Sequence, residues 1–338
     1  MGITIKDVAR AAGVSTATVS RALRGLPNVD QVTRDRVVKV AAELDYVVSP
    51  SASRLASGRT GSIGVITPYI SRWFFATVIA GIESALHAAG MDLLLLGVGD
   101  PEVEITFPAA QRLRQRVDGV LIVALPPDDP DMRAIVELGI PTGLIGSTFR
   151  GTSSIVIDDV EAGRIATQHL LNLGHRRIGL IGGRPTEDSS NAVLDRDRGY
   201  YNAMTEAGIE PDPLMETFGY FTVDGGEKAM SALLAQKQPP SAVFAMSDEM
   251  AFGAIRSLHS HGLVPGKDVS IVGIDGHDMS ELMNLTTVEQ PVRDMGYSAA
   301  QSLLARIIEP KNAEVETTTM PTHLVVRDST SPFAPVTG

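Results

Sequence analysis

The chain has no cysteine, which excludes a disulfide framework and any thiolate metal site and leaves a reducing compartment open to it. Long hydrophobic runs are missing too. The longest, Leu93–Leu96 and Val120–Leu125, are strand-sized and far below the ~20 residues that a membrane span needs. The first residues, Met1-Gly2-Ile3-Thr4-Ile5-Lys6-Asp7, lack the basic segment and apolar run of a secretory leader, so no secretion is indicated and a cytoplasmic location is expected.

Signatures of catalysis are equally scarce. Gly262-Leu263-Val264-Pro265-Gly266-Lys267-Asp268 is one residue short of a phosphate loop and lacks the hydroxyl residue after lysine. It reads as a loop before a strand. Gly97-x-Gly99 and Gly182-Gly183 are strand-end glycines without a dinucleotide fingerprint. His259 and His261 stand two apart, so on a helix they point in different directions and do not clasp a metal together. No cofactor, no metal and no enzymatic activity are expected.

What is present is a folded chain of two or three domains. It has 338 residues, 43% hydrophobic and 20% charged, near the norm for globular proteins. Its charge is uneven. The first 60 residues hold nine basic and five acidic side chains, and the remainder 20 basic and 35 acidic. A small basic headpiece on a large acidic body confines any polyanion contact to one end.

The headpiece reads as three helices. Thr4-Ile5-Lys6-Asp7 opens the first, with Thr4 as cap and Asp7 in the first turn. Gly13 can take the left-handed conformation that ends it near Ala12, and Ser15 caps the next. On a helical wheel Val19, Ala22 and Leu23 share one face of this second helix, and Ala17, Ser20, Arg21 and Arg24 the other. Asp30 caps a third helix whose Val37, Val40, Ala41 and Leu44 recur at helical spacing. The spacing is that of a helix-turn-helix.

Thr4-Ile5-Lys6-Asp7-Val8-Ala9, Gly13-Val14-Ser15 and Thr18-Val19-Ser20-Arg21 closely resemble the headpiece of the LacI/GalR family of bacterial transcription regulators. The likeness continues through Val37–Tyr46 into Ser51-Ala52-Ser53-Arg54-Leu55-Ala56-Ser57-Gly58-Arg59-Thr60, which resembles the family's hinge helix. The resemblance implies that the second helix enters a DNA major groove with Thr16, Ala17 and Arg21 at base-reading positions. It further implies that Thr4, Ser15 and Ser20 contact phosphates and that Leu55 wedges into the minor groove. Arg24 belongs to the same DNA-facing set, although the family usually has asparagine there; Ser53 stands where the hinge often has arginine.

Beyond Gly61, strand-sized apolar runs alternate with helical patterns: Ser62–Pro68, Asp92–Gly99, Gly119–Leu125, Thr142–Gly146, Ser154–Asp158, then Ile178–Gly183, Ala242–Met246 and Val269–Ile274. Phe74–Ala89 and Glu161–Leu173 are the clearest helices. This rhythm predicts two doubly wound α/β lobes. The resemblance extends over Ile63 to about Asp328 and implies a periplasmic-binding-protein-like clamp, crossed near Asp159, Gln290 and Thr319. The expected organisation is an all-α headpiece (1–47), a hinge (48–60), a first lobe (61–158 and 291–318), a second lobe (159–290 and 319–330) and a tail (331–338).

The same resemblance supplies candidate effector-binding residues. Arg196-x-x-Gly199-Tyr200 resembles the family's effector-binding arginine motif at the start of a helix, and a guanidinium can fork onto vicinal hydroxyls. The other three residues of Asp195-Arg196-Asp197-Arg198 read as surface charge. Ser247 and Asp275 stand just after strands, where α/β ligand sites form, and Gln290 stands at a crossover. Asp248 is expected to cap the following helix. Tyr69, Trp73 and Phe74 are placed against a sugar ring, and Phe75 in the core. Family members commonly have Asn-Pro where this chain has Arg72-Trp73, and Gly146 replaces a frequent polar pocket residue.

The expected function is a homodimeric DNA-binding regulator, in its commoner form a repressor of carbohydrate-utilisation genes, that reads a palindromic operator in double-stranded DNA. A small polar effector, carbohydrate in the favoured reading, binds between the lobes, and no membrane is involved. A purine- or nucleoside-responsive regulator of the same family is the alternative. A solute-binding protein fits the body alone but not the headpiece.

Overall fold

The computed structural model describes residues 3–23, 25–46, 59–98, 108–127, 129–183, 191–309 and 314–334. Arg24, Leu55 and the hinge as far as Gly58 lie outside the described residues. The chain divides into two units, Met1–Gly61 and Ser62–Gly338.

The first unit contains α1 (Ile5–Ala12), α2 (Thr16–Leu23) and α3 (Gln31–Glu43). Local chemistry sets each boundary. The N–H and hydroxyl of Thr4 both donate to Asp7 Oδ2, at 3.0 and 2.6 Å, so the aspartate folds back over the helix start. Gly13, at φ +66°, turns the chain out of α1. Ser15 Oγ accepts from the Thr18 N–H at 3.1 Å, and Asp30 Oδ1 from the Thr33 N–H at 2.8 Å. Val8, Ala9, Ala12, Val19, Ala22, Val37 and Ala41 form the core, with Leu23, Val40 and Leu44 half-buried at its edge.

Among its described residues the second unit holds twelve strands: β1 (Ser62–Thr67), β2 (Asp92–Gly97), β3 (Gly119–Val123), β4 (Thr142–Ile145), β5 (Ser153–Ile157), β6 (Ile178–Gly182), β7 (Glu216–Phe218), β8 (Ala242–Ala245), β9 (Ser270–Asp275), β10 (Thr286–Glu289), β11 (Thr317–Met320) and β12 (His323–Val325). Its helices are α4 (Trp73–Ala88), α5 (Ala109–Leu113), α6 (Pro130–Glu137), α7 (Asp159–Asn172), α8 (Asn191–Glu206), α9 (Val223–Leu234), α10 (Asp248–Ser260) and α11 (Val292–Ile308). The strands form two six-stranded sheets, ordered β11-β5-β4-β3-β1-β2 and β12-β10-β9-β8-β6-β7. All pairings are parallel except β12 on β10. Strands such as β1, β3 and β9 are buried along their whole length, which explains why they read as continuous apolar runs rather than alternating ones.

The chain passes from the first sheet to the second after β5, returns through α11, and leaves again after β11. Asp159 and Gln290 stand at the first two passages. Thr319 does not mark the third: it lies inside β11, and the passage falls at Pro321 and Thr322. Part of the expected tail also belongs to the second lobe. The Ser331 carbonyl accepts from His175 Nε2 at 3.0 Å, and Phe333 lies against the same imidazole.

Several strands end short of their apolar runs. Pro68, Leu125, Gly146 and Gly183 all follow the last residue of their strand and line a cavity instead. Asp158 likewise leaves β5 to cap α7, accepting from the Glu161 N–H at 2.9 Å. Helices α7 and α8 cross at reciprocal glycines. A Cβ on Gly163 would lie 2.5 Å from the Arg196 carbonyl oxygen, and one on Gly199 2.2 Å from that of Val160. This close approach fixes Arg196 beside the start of α7.

Candidate functional site

The loops that follow the strands of both sheets face each other across a cavity of about 460 Å³, as expected for the carboxyl edges of doubly wound sheets. The two walls differ. The first lobe contributes Pro68, Tyr69, Phe74, Phe75, Pro126 and Met295, with Gly146 leaving room where a larger residue would stand. The second lobe contributes Arg196, Asp159, Ser247, Asp275 and Gln290 to the floor, with Phe221 beside them. Arg196, Ser247, Asp275, Gln290, Tyr69 and Phe74 are thus brought together around one space.

Arg196 organises the polar floor. It sits in the second turn of α8 rather than at the helix start. Its Nε–H donates to Asp159 Oδ1 at 2.8 Å, and Nη1–H donates to the Met246 carbonyl. Arg196 is buried and Asp159 half-buried, with side chains 6% and 12% exposed. Asp159 had no assigned role in the ligand site from sequence. Its signal is only a carboxylate at a strand-to-helix junction, and its partner lies 37 positions away.

Asp275 ends β9 at φ +138°, a strained conformation for a non-glycine residue. Its Oδ1 accepts from Gln290 Nε2 at 2.7 Å. Burial pushes its carboxyl up to about 8, and the carboxylate of Asp248 adds to the effect. The cation of Arg196 and the hydrogen bond from Gln290 oppose it. One guanidinium therefore stands among three carboxyl groups, and burial biases Asp275 toward its protonated form.

That shift has a stability consequence. An unfolded aspartate ionises near 3.9, while the folded one holds its proton until about 8. Between these values the folded state binds more protons, so stability falls as pH rises, by at most about 1.4 kcal/mol per pH unit. Asp275→Asn should flatten this slope. Urea unfolding at pH 4.5 to 7.5 is the measurement, and parallel profiles for the two proteins would contradict the assignment.

Three sequence expectations are corrected. Trp73 does not line the cavity; its indole stacks on His277 of the other lobe and its Nε1–H donates to Asp278. Phe75 packs against the hydrophobic core as expected and also reaches the cavity wall, edge-on to Phe74 at 5.3 Å. Ser247, not Asp248, caps α10, accepting from the Met250 N–H at 3.3 Å. Asp248 turns inward and accepts from Thr287 Oγ1, Ser280 Oγ and the His277 N–H. Asp197 is half-buried rather than a surface charge, and burial pushes it up to about 6, with Glu216 adding to the rise. Residues not anticipated for the cavity are Arg72, Glu249, Tyr220 and Phe221. The last two sit at φ +53° and +55°, directly after Gly219, in the turn that leads into α9.

On the first unit, Thr4, Ser15, Thr16, Ala17 and Arg21 are exposed and Ser20 is half-buried. Ala17, Ser20 and Arg21 occupy the side of α2 away from the buried Val19 and Ala22, and Thr16 is exposed as the first residue of the helix. The guanidinium of Arg21 is thereby presented to solvent with two small residues beside it. Among the described residues no helix is long and apolar enough to cross a membrane.

Residues 4–49 match the family model described as bacterial regulatory proteins, lacI family, and residues 167–330 match the periplasmic binding protein-like domain. The chain is 34% identical over 337 residues to the HTH-type transcriptional regulator CelR of Thermobifida fusca, covering 96% of this chain and 98% of the relative. A solved CelR–cellobiose complex superposes with a TM-score of 0.70 at 33% identity, covering 97% of this chain and 99% of the other. The lac repressor dimer bound to operator and the anti-inducer ONPF superposes with a TM-score of 0.86 at 30% identity, covering 98% and 100%.

Proposed function

The chain belongs to the lacI family of bacterial regulatory proteins, and on that premise we propose that it is a dimeric repressor whose hold on a palindromic operator is controlled by a small sugar bound between its lobes. The observation that carries this reading is the polar floor of Arg196, Asp275 and Gln290 facing a wall of aromatic and aliphatic side chains. Such a cavity offers donors and acceptors to hydroxyls on one side and an apolar surface to a ring face on the other. The cellobiose complex of CelR supports a sugar as the class of ligand.

Control follows from linkage. A sugar bridging both walls favours one arrangement of the lobes, and an operator held by two headpieces favours one arrangement of the dimer. If the two arrangements differ, sugar and DNA weaken each other's binding by the same factor. No chemical turnover is required, and none is proposed. The protein acts on DNA in the cytoplasm.

The test begins with selection of palindromic duplexes from a random pool on the full-length protein. Fluorescence anisotropy of the best duplex is then measured against a panel of mono- and disaccharides, with nucleosides alongside. Specific binding that weakens with one or a few sugars is the expected result. Sequence-blind binding would overturn the repressor reading, and a response to nucleosides alone would overturn the sugar.

A further inference from the structure

Two neighbouring side chains of the first lobe reach the second lobe at one flank of the cavity. The Trp73 indole lies against the His277 imidazole, with ring centroids 4.6 Å apart and planes inclined by 26°. Its Nε1–H donates to Asp278 Oδ2 at 3.2 Å. Arg72 donates from Nη1 to the Tyr220 carbonyl at 3.4 Å while its guanidinium lies 3.6 Å above the Tyr69 ring.

Both ends of these contacts are anchored. Trp73 is the first residue of α4 and packs against the hydrophobic core. The His277 N–H donates to the buried Asp248 at 2.9 Å, its Nδ1 accepts from the Met279 N–H at 2.9 Å, and its ring meets Phe252 edge-on at 5.1 Å. Position matters as well. Residues 72 and 73 follow β1, three places along the sheet from β5, and Tyr220 follows β7, the strand at the opposite edge from β12. Arg72 therefore joins the lobes away from the strands at which the chain passes between them, whereas the partners of Trp73, His277 and Asp278, follow β9 beside β10.

We propose that Arg72 and Trp73 form an interlobe clasp that closes this flank of the cleft and restricts the effector to a ligand small enough to lie wholly between the lobes. The inference rests on the reading of the cleft as a sugar site. A cavity of about 460 Å³ lies at the lower end of the ~300 to 1,000 Å³ typical of sites that enclose one small ligand. It suits a mono- or disaccharide. A longer oligosaccharide that extended past Arg72 and Trp73 would have to part these contacts. The stacked rings and the indole hydrogen bond each resist opening, and neither touches the cavity floor.

The experiment uses the full chain and three variants. Trp73→Ala removes the stack and the hydrogen bond, Trp73→Phe keeps a ring but loses the donor, and Asp278→Ala removes the acceptor from the opposite lobe. Small-angle scattering without sugar should show a larger radius of gyration for Trp73→Ala, with the other two between it and the wild type. Calorimetric titration with gluco-oligosaccharides of two to five units, in both the α-1,4 and β-1,4 series, tests size. Wild type should accept no more than a disaccharide. Trp73→Ala should bind that disaccharide about tenfold more weakly and gain binding of tri- or tetrasaccharides.

Scattering identical in all four proteins would overturn the clasp. So would wild-type binding of tetrasaccharides as tight as of disaccharides. An effect of Trp73→Ala that Asp278→Ala does not share would also overturn it, since only helix packing would then have changed. Opened scattering in both variants with no sugar bound by any protein would leave the clasp standing and remove the sugar reading instead.

Discussion

Alanine at Arg196 is expected to abolish the response to effector and to destabilise the second unit by about 3 to 5 kcal/mol, while the headpiece keeps its fold and its DNA surface. The stability loss comes from what is left behind. Asp159 is only 12% exposed at its side chain, and its carboxylate loses the guanidinium 2.8 Å away. The Met246 carbonyl, also held by Arg196, loses a donor. Helices α7 and α8 still meet through Gly163 and Gly199, so the loss is electrostatic rather than a collapse of packing. Thermal unfolding should move down by roughly 10 °C.

Two further variants separate charge from shape. Arg196→Lys keeps a cation but not the fork, so it should recover part of the stability and little of the effector response. The pair Arg196→Met with Asp159→Asn removes both charges and should be markedly more stable than the single substitution, because an apolar replacement of a buried pair is far less costly than an orphaned ion. If the single and double substitutions lose equal stability, the ion pair is not the source. Retention of full effector response by Arg196→Ala would remove Arg196 from the site.

The headpiece was almost fully legible in the sequence because its signals are local. Asp7, Gly13, Ser15 and Asp30 each act within four residues of the helix end they define. The alternation of lobes was legible for a similar reason, since buried parallel strands and amphipathic helices leave different periodicities. Side-chain partnerships across long separations were not. Trp73 meets residues 204 and 205 positions away, and nothing at positions 72–75 distinguishes a ring that faces a ligand from one that faces the other lobe. Ser247 takes the cap expected of Asp248 while still lining the cavity, because either residue can cap a helix, and one residue of helix phase decides which side chain turns inward.

Alanine at Arg21 should weaken binding to the selected operator by a factor of about 30 to 10⁴, yet leave binding to unrelated duplex nearly unchanged at equal salt. A bidentate arginine–guanine contact contributes about 1 to 3 kcal/mol of discrimination, and a dimer on a palindrome makes it twice. Unfolding does not account for such a loss: Arg21 is exposed, Val19 and Ala22 hold the opposite face of α2 in the core, and alanine favours a helix at least as well as arginine. Arg21→Lys keeps the charge without the fork, so it should retain non-specific affinity and lose most of the preference. Anisotropy titrations on the operator and on duplexes with single base-pair exchanges in both half-sites provide the measurement. For Arg21→Ala, one exchanged position should cease to matter while the others keep their cost. A uniform loss across all duplexes, with a shallower salt dependence, would instead make Arg21 a phosphate contact and move base reading to Thr16 and Ala17.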